Sequence, residues 1–252
     1  MALRSSTARV LAAEDGLADS PAAAFPAAIA RTSFVGQAWA LLWKDLAVEL
    51  RRRELVGSVL VFSLLVLLIF EFSFDVDRAQ AEALAPGVLW VTFVFAGVLS
   101  LTRSFAQERD RGTWEGLLLA PLDRGAIYVA KLLANALVML AVEVVSLVAF
   151  IAFFDVRADW LALALSVLAG TIGFASTGTL LAAMAAGTRA REAFLPVLLL
   201  PISVPVIIGS VKSTAAAFGQ PAGAYPWLGL VLAFDAIFLA VSFAVFEFVI
   251  EE

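Results

Sequence analysis

The sequence predicts an all-α membrane protein with six transmembrane helices and both termini on the cytoplasmic side. Of its 252 residues, 62% are hydrophobic and 15% are charged, whereas soluble domains have roughly 45–50% and about 25%. Six continuous apolar runs are each long enough to cross a bilayer, which takes about 20 helical residues. These runs do not alternate in polarity as the strands of a membrane barrel do. Basic residues are concentrated in every second connection, which orients the spans.

Composition also excludes several classes of function. The formal net charge of −5 leaves no basic surface for nucleic acid. The chain contains no His and no Cys, the side chains that serve most often in metal sites and covalent catalysis. No G-x-x-x-x-G-K-[ST] motif occurs, so any ATP is bound by another chain. The sequence therefore predicts no enzyme activity, no metal site and no directly bound cofactor.

Residues 1–35 are predicted to be a disordered cytoplasmic tail. They are rich in Ala, with scattered Ser, Pro, Asp and Arg. An apolar run over 10–13 is followed at once by Glu14 and Asp15. The segment therefore lacks the long apolar core of a secretory signal.

Residues 36–54 are predicted to form an amphipathic helix that lies in the membrane interface. Apolar side chains recur at i, i+3, i+4, i+7 and i+11, the spacing of one helix face. They are Trp39, Leu42, Trp43, Leu46 and Leu50. The charged residues Lys44, Asp45, Arg51 and Arg52 lie off this stripe. A charged face with Trp at headgroup depth is typical of interfacial helices, and the alternative is a simple entry helix ahead of the first span.

Residues 55–252 are predicted to form one six-span domain. The spans lie at about 56–74, 86–102, 132–154, 160–183, 193–211 and 227–250. If the N-terminus is cytoplasmic, all 17 basic residues except Arg78, Arg157 and Lys212 fall on the inner side. This excess of positive charge predicts that both termini are cytoplasmic.

Two spans carry features beyond hydrophobicity. Span 4 contains small residues that permit close approach of neighbouring helices: Gly170, Gly173, Ser176, Thr177 and Gly178. Span 5 contains Pro196, Pro201 and Pro205. Each proline removes a backbone donor, so a kinked or broken helix is expected. Transport sites are often built around such breaks, and ordinary packing of a kinked helix is the alternative.

Two carboxyl groups are predicted to lie inside the bilayer. Glu143 falls in the middle of span 3, and Asp235 falls within span 6. A carboxylate near the bilayer centre costs on the order of 2.5–3.5 kcal/mol, so both should face the helix bundle or a partner subunit. They could belong to a polar path or a conformational lock. Alternatively, each is a buried carboxyl that bonds to Ser or Thr of a neighbouring helix.

The connection between spans 2 and 3 is a candidate docking element. Acidic and basic residues alternate over 108–111, and Gly112 with Thr113 offers a turn and a helix cap. A short Leu cluster follows and ends before Pro121. Because such a cluster left in water would be an exposed apolar patch, it favours a partner protein. A loop lying on lipid is the alternative.

These residues resemble a known family. The pattern E-R-x-x-G-T-x-E-x-L-L-x-x-P over 108–121 is similar to the cytoplasmic loop of type-2 ABC exporter permeases. Residues 85–135 and the Pro-rich stretch 194–218 look like the haem exporter protein B (CcmB) family, the six-span permease of cytochrome c maturation. The resemblance covers residues 36 to about 250.

The resemblance implies a multi-pass subunit of the bacterial cytoplasmic (inner) membrane that works in c-type cytochrome biogenesis. Its implied partners are an ABC ATPase that binds the ATP, a haem-handling membrane protein, a small accessory subunit and a possible second permease copy. The loop would be the coupling helix that docks on the ATPase. Its coupling residues would be Glu108, Arg109, Gly112, Thr113, Glu115, Leu117, Leu118 and Pro121.

The family resemblance implies that ATP drives either haem export or release of a haem-loaded chaperone. Haem is then a possible transported species. With no His, and with Met139 and Met184 as the only Met in the spans, this chain offers poor axial ligands. The sequence therefore favours a subunit that transmits force over one that ligates haem.

Three alternatives remain at the level of sequence. A type-2 permease for a polysaccharide, lipid or drug would share the coupling loop. An intramembrane enzyme would use Glu143 and Asp235 as paired carboxylates facing each other across a water-filled cavity. A non-catalytic assembly scaffold would not bind an ATPase through the loop.

Overall fold

The computed structural model describes residues 33–52, 54–73, 78–110, 116–117, 119–154, 158–186, 191–221 and 224–251. These residues form seven long helices and no strand. The helices are α1 (Phe34–Arg52), α2 (Glu54–Ser73), α3 (Arg78–Asp110), α4 (Arg124–Phe154), α5 (Trp160–Ala186), α6 (Arg191–Ala217) and α7 (Ala224–Glu251). The predicted disordered tail lies almost wholly outside the described residues.

Six of the helices, α2 to α7, are long and apolar enough to span a membrane, which confirms the predicted number. The candidate spans are Val56–Ser73, Ala83–Ser104, Arg124–Phe153, Trp160–Ala186, Ala193–Ala217 and Pro226–Val249. The orientation of these spans in a membrane stays a prediction.

The third span begins at Arg124, not near residue 132. Asp123 caps the start of α4, because its Oδ1 atom accepts hydrogen bonds from the backbone N–H groups of Gly125 (2.8 Å) and Ala126 (3.3 Å). A side chain that takes up these free N–H groups is a typical helix N-cap. Two charged residues in its first turns, Arg124 and Lys131, conceal the start of this helix from a hydropathy pattern.

Helix α5 lies at the centre of the bundle. It packs against α3, α4, α6 and α7, and 67% of the residues in its most apolar stretch are buried, compared with 72% in α3 and 17% in α2 at the edge. The small residues of α5 allow this. A Cβ atom on Gly170 would overlap the ring of Trp90, and one on Gly178 would overlap Leu101, so α3 approaches α5 closely.

Helix α6 runs without interruption through its three prolines. Pro196, Pro201 and Pro205 all lie inside Arg191–Ala217, so the structure shows no broken helix at these positions. Each proline removes one donor, and a long helix tolerates this when its other bonds remain. The predicted kink stays a prediction. The helix ends at Ala217, and Gly219 just beyond it forms a glycine cap with a positive φ of 81°.

The orientation can be tested because the chain contains no Cys. Single Cys residues are introduced at positions 116 and 80, and intact cells are treated with a membrane-impermeant thiol reagent. We expect labelling at position 80 only, because the excess of basic residues places residue 116 in the cytoplasm. Labelling at 116 but not at 80 would show that the orientation is reversed.

Candidate functional site

Of the predicted coupling loop over 108–121, the structure describes residues 108–110, 116–117 and 119–121. Glu108 and Arg109 lie in the last turn of α3, which ends at Asp110. Four predicted coupling residues lie outside the described residues: Gly112, Thr113, Glu115 and Leu118. The coupling helix therefore stays a prediction.

The described part of the Leu cluster has an inner and an outer side. Leu117 and Leu122 pack partly against the main hydrophobic core of the bundle. Leu119 is 87% exposed, and Pro121 beside it is also exposed. Leu119 is therefore an apolar side chain available to a partner. The sequence pattern pointed to Leu117 and Leu118 instead; Leu117 is half-buried, and Leu118 lies outside the described residues.

Helix α1 is fastened along the start of α4 by two polar links. Gln37 Oε1 accepts a hydrogen bond from the backbone N–H of Asp123 at 2.9 Å. Eight residues later on both helices, Lys131 Nζ forms an ion pair with Asp45 Oδ2 at 2.9 Å. Both links join residues 86 positions apart, so α1 and α4 run parallel in this region. The chain that leaves the predicted coupling loop is thus held directly by α1.

The face of α1 that contacts the protein differs from the predicted stripe. Leu42 is buried, and it forms a small cluster with Ala130 and Ala134 of α4. By contrast, Trp39 and Trp43 are 64% and 63% exposed. The apolar surface of α1 is therefore split between α4 and the surroundings, and the exposed Trp pair is compatible with the predicted interfacial position.

Glu143 is buried in the bundle with a hydroxyl partner. Its side chain is 2% exposed, and Thr171 Oγ1 donates a hydrogen bond to its Oε2 atom at 2.6 Å. The same hydroxyl lies 2.8 Å from the backbone carbonyl of Val167. A Thr on a neighbouring helix therefore bonds to this carboxyl, as one of the two predicted alternatives requires.

Asp235 lies on the other side of the central helix. It is 5% exposed, and it packs so closely on Gly173 that a Cβ atom there would overlap its Oδ1 atom. Thr171, which contacts Glu143, and Gly173 are two residues apart, so they point about 200° apart around α5. The two carboxyls therefore lie on opposite faces of α5. This arrangement argues against an intramembrane enzyme that needs Glu143 and Asp235 facing each other.

We predict that Glu143→Gln leaves membrane abundance and function near normal. An amide oxygen can accept the Thr171 hydrogen bond as the carboxyl does, and the side-chain volume is unchanged. Glu143→Leu should be worse, because it removes the acceptor and changes the shape of the site. The measurement is membrane abundance by immunoblot together with activity of the complex. Loss of activity in Glu143→Gln at normal abundance would show that Glu143 has a role in the mechanism.

Known proteins resemble this chain over most of its length. The sequence pattern of the family described as CcmB protein matches residues 36–250. The protein named Heme exporter protein B of Rhodobacter capsulatus is 31% identical over 170 residues, which cover 67% of this chain and 78% of the relative. The protein of that name from Pseudomonas aeruginosa is 29% identical over 196 residues, or 77% and 88% of the two chains. The one from Paracoccus denitrificans is 31% identical over 195 residues, or 76% and 87%.

Proposed function

This chain belongs to the CcmB protein family, and on that premise we propose that it is the permease subunit of a haem-export ABC transporter in c-type cytochrome biogenesis. It is a multi-pass protein of the bacterial inner membrane. The observation that carries the proposal is the family match over residues 36–250, which includes all six candidate spans. The relatives named Heme exporter protein B support haem over a polysaccharide, lipid or drug as the species handled.

In the proposed complex a partner ATPase binds and hydrolyses ATP, and this chain transmits the resulting movement. A haem-handling membrane protein, a small accessory subunit and a possible second permease copy complete the assembly. The loop over 108–121, in which Leu119 is exposed, is the proposed ATPase contact. Helix α1 then receives the movement together with the start of α4, because the two are joined by the Gln37 and Asp45 links.

We further propose that ATP releases a haem-loaded chaperone and that this chain does not ligate haem itself. The chain has no His, which leaves Met as the main candidate axial ligand in the spans. Met139 is 4% exposed, and its methyl group packs closely against Gly97. Met139 would have to leave the core before it could reach an iron atom. Met184 is 41% exposed and therefore lies outside the buried core.

Substitutions in the predicted coupling loop test this proposal. We expect Leu118→Asp to detach or uncouple the ATPase and Arg109→Ala to do much less. Burying a Leu side chain contributes roughly 1.5–3 kcal/mol, whereas an exposed ion pair contributes about 0–1 kcal/mol. The measurement is the amount of ATPase that co-purifies with each variant, alongside the level of c-type cytochromes in cells.

Leu118→Met is the matched control, because it keeps an apolar side chain of similar volume. Leu119→Asp tests the exposed Leu that the structure adds to the candidate contact. If Leu118→Asp and Leu119→Asp both retain the ATPase and the cytochromes, the loop is a lipid-surface element. The coupling proposal would then be wrong, and a scaffold without ATPase contact would replace it.

A further inference from the structure

Three buried oxygen atoms line the seam where α5, α6 and α7 meet. Asp235 Oδ1, Ser203 Oγ and Ser210 Oγ have no hydrogen-bond partner among the described residues. Their residues are 5%, 0% and 0% exposed. Two further Ser oxygens are also without a partner, but Ser146 lies on α4 and Ser242 lies beside Tyr128.

Helix geometry places the residues of these three oxygens along the same seam. A Cβ atom on Gly173 of α5 would overlap Asp235 Oδ1 of α7 and would lie 2.9 Å from Val206 of α6, so these residues meet at one point. Ser203 and Ser210 precede and follow Val206 by three and four residues, which places them on the same face of α6. Ser210 Oγ lies against Gly170, one turn from Gly173 on α5. The seam thus holds polar atoms over about 10 Å of helix length.

These hydroxyls differ from other buried hydroxyls of the spans. A Ser or Thr inside an apolar helix usually bonds to the backbone carbonyl four residues earlier. In this protein that bond is made by Ser63, Thr92, Thr102, Ser166 and Thr177. Ser203 and Ser210 do not make it, although both are fully buried. Their hydroxyls therefore remain available to a third group within the seam.

Among the side chains of α5, α6 and α7 that the structure describes, the only basic one is Lys212. Helix α5 carries no charged residue over Trp160–Ala186, and Lys212 of α6 is exposed. Buried polar groups are almost always hydrogen-bonded, and water is the usual partner where protein groups are missing. A buried water typically bonds to two to four polar atoms, and carboxyl and hydroxyl oxygens at one seam supply them.

From this geometry we propose that the α5–α6–α7 seam is a water-binding site inside the membrane, anchored by Asp235. Water molecules bridge the carboxyl of Asp235 to the hydroxyls of Ser203 and Ser210. Asp235 then holds a row of polar groups and water within the bundle. Glu143, on the other face of α5, has its hydrogen bond from Thr171 and needs no water. The site is independent of the coupling loop and of the identity of the transported species.

Hydroxyl-radical footprinting of the full-length protein in membranes tests this site. Radicals formed by X-ray radiolysis of a bound water modify the side chains that touch it, and mass spectrometry then measures the rate at each residue. Val206, which is fully buried in the seam, should be modified several-fold faster than Val59. Val59 is the matched control, because it is a Val with 3% exposure whose carbonyl is bonded to Ser63.

The anchoring role of Asp235 is tested by two substitutions. Asp235→Asn keeps the shape and hydrogen-bonding capacity, so fast modification of Val206 should persist. Asp235→Leu removes the polar atoms, and the rate at Val206 should fall to that of Val59. If Asp235→Leu does not accumulate in membranes, the Ser203→Ala/Ser210→Ala double variant should show the same fall.

Two results would overturn the proposal. If Val206 and Val59 are modified equally slowly in the unsubstituted protein, the seam is dry and the Ser hydroxyls bond to their own helix. If Val206 is fast in every variant, water is present but Asp235 does not anchor it.

Discussion

Lys131→Met is expected to cost about 3 kcal/mol of stability and to lower the amount of folded protein in the membrane sharply. Lys131 and Asp45 are only 6% and 16% exposed in their side chains. Removing one partner of a buried ion pair costs roughly 3–5 kcal/mol, because the other charge stays buried without compensation. The lower end applies here, since Lys44 also lies 3.1 Å from the Asp45 carboxylate.

Lys44→Met is the matched control for this prediction. Lys44 contacts the same carboxylate, but its side chain is 47% exposed, and an exposed pair contributes only about 0–1 kcal/mol. The first measurement is the mole fraction of SDS at which half of the purified protein is unfolded. The second is the amount of each variant in the membrane. Exchanging the charges, Asp45→Lys with Lys131→Asp, should restore part of the loss. Equal effects of Lys131→Met and Lys44→Met would show that the buried pair does not fasten α1 to α4.

The number of spans could be predicted because hydrophobicity is a local property. A helix in lipid must be apolar over about 20 residues, and each of the six runs shows this without reference to the others. The burial of Glu143 and Asp235 follows from the same reasoning, because an intramembrane carboxyl is too costly to face lipid. Which neighbour each carboxyl meets depends on helix packing, and the sequence carries no local signal of that.

The attachment of α1 to α4 could not be predicted from the sequence, because helix packing leaves no local signal in it. The spacing of Trp39, Leu42 and Trp43 predicts one apolar stripe, yet only Leu42 of these three is buried against α4. Asp45 looked like part of the solvated face, because its partner Lys131 is 86 residues away and in another helix. Periodicity identifies an apolar face, but not whether protein or lipid covers it.

Gly170→Ala is expected to destabilise the bundle by about 2–6 kcal/mol, although it adds a single methyl group. A Cβ atom at Gly170 would overlap the six-membered ring of Trp90 and Ser210 Oγ. Trp90 is 2% exposed, and its indole N–H donates to Thr214 Oγ1 at 2.9 Å. Overpacking costs about 1–3 kcal/mol, and an indole N–H that loses its partner on moving adds about 1–3 kcal/mol.

Gly229→Ala is the matched control, and it should either stabilise the bundle or leave its stability unchanged. Gly229 lies in the helix α7, and no atom lies within 4 Å of the Cβ it would gain. Ala is the better helix former by about 1 kcal/mol in water, so nothing opposes the substitution there. The measurement is again the unfolding midpoint in SDS, with both variants compared with the unsubstituted protein.

A double variant separates the clash from a general effect of Ala at position 170. The overlapping atoms of Trp90 are Cη2 and Cζ3, which belong to the part of the indole that a Phe side chain does not extend into. Trp90→Phe should therefore cost less in the Gly170→Ala background than in the unsubstituted protein, because residues in contact are not additive. Purely additive losses would mean that Gly170 is required for a reason other than the approach of Trp90. In that case close packing of α3 on α5 would not explain why a Gly occupies this position.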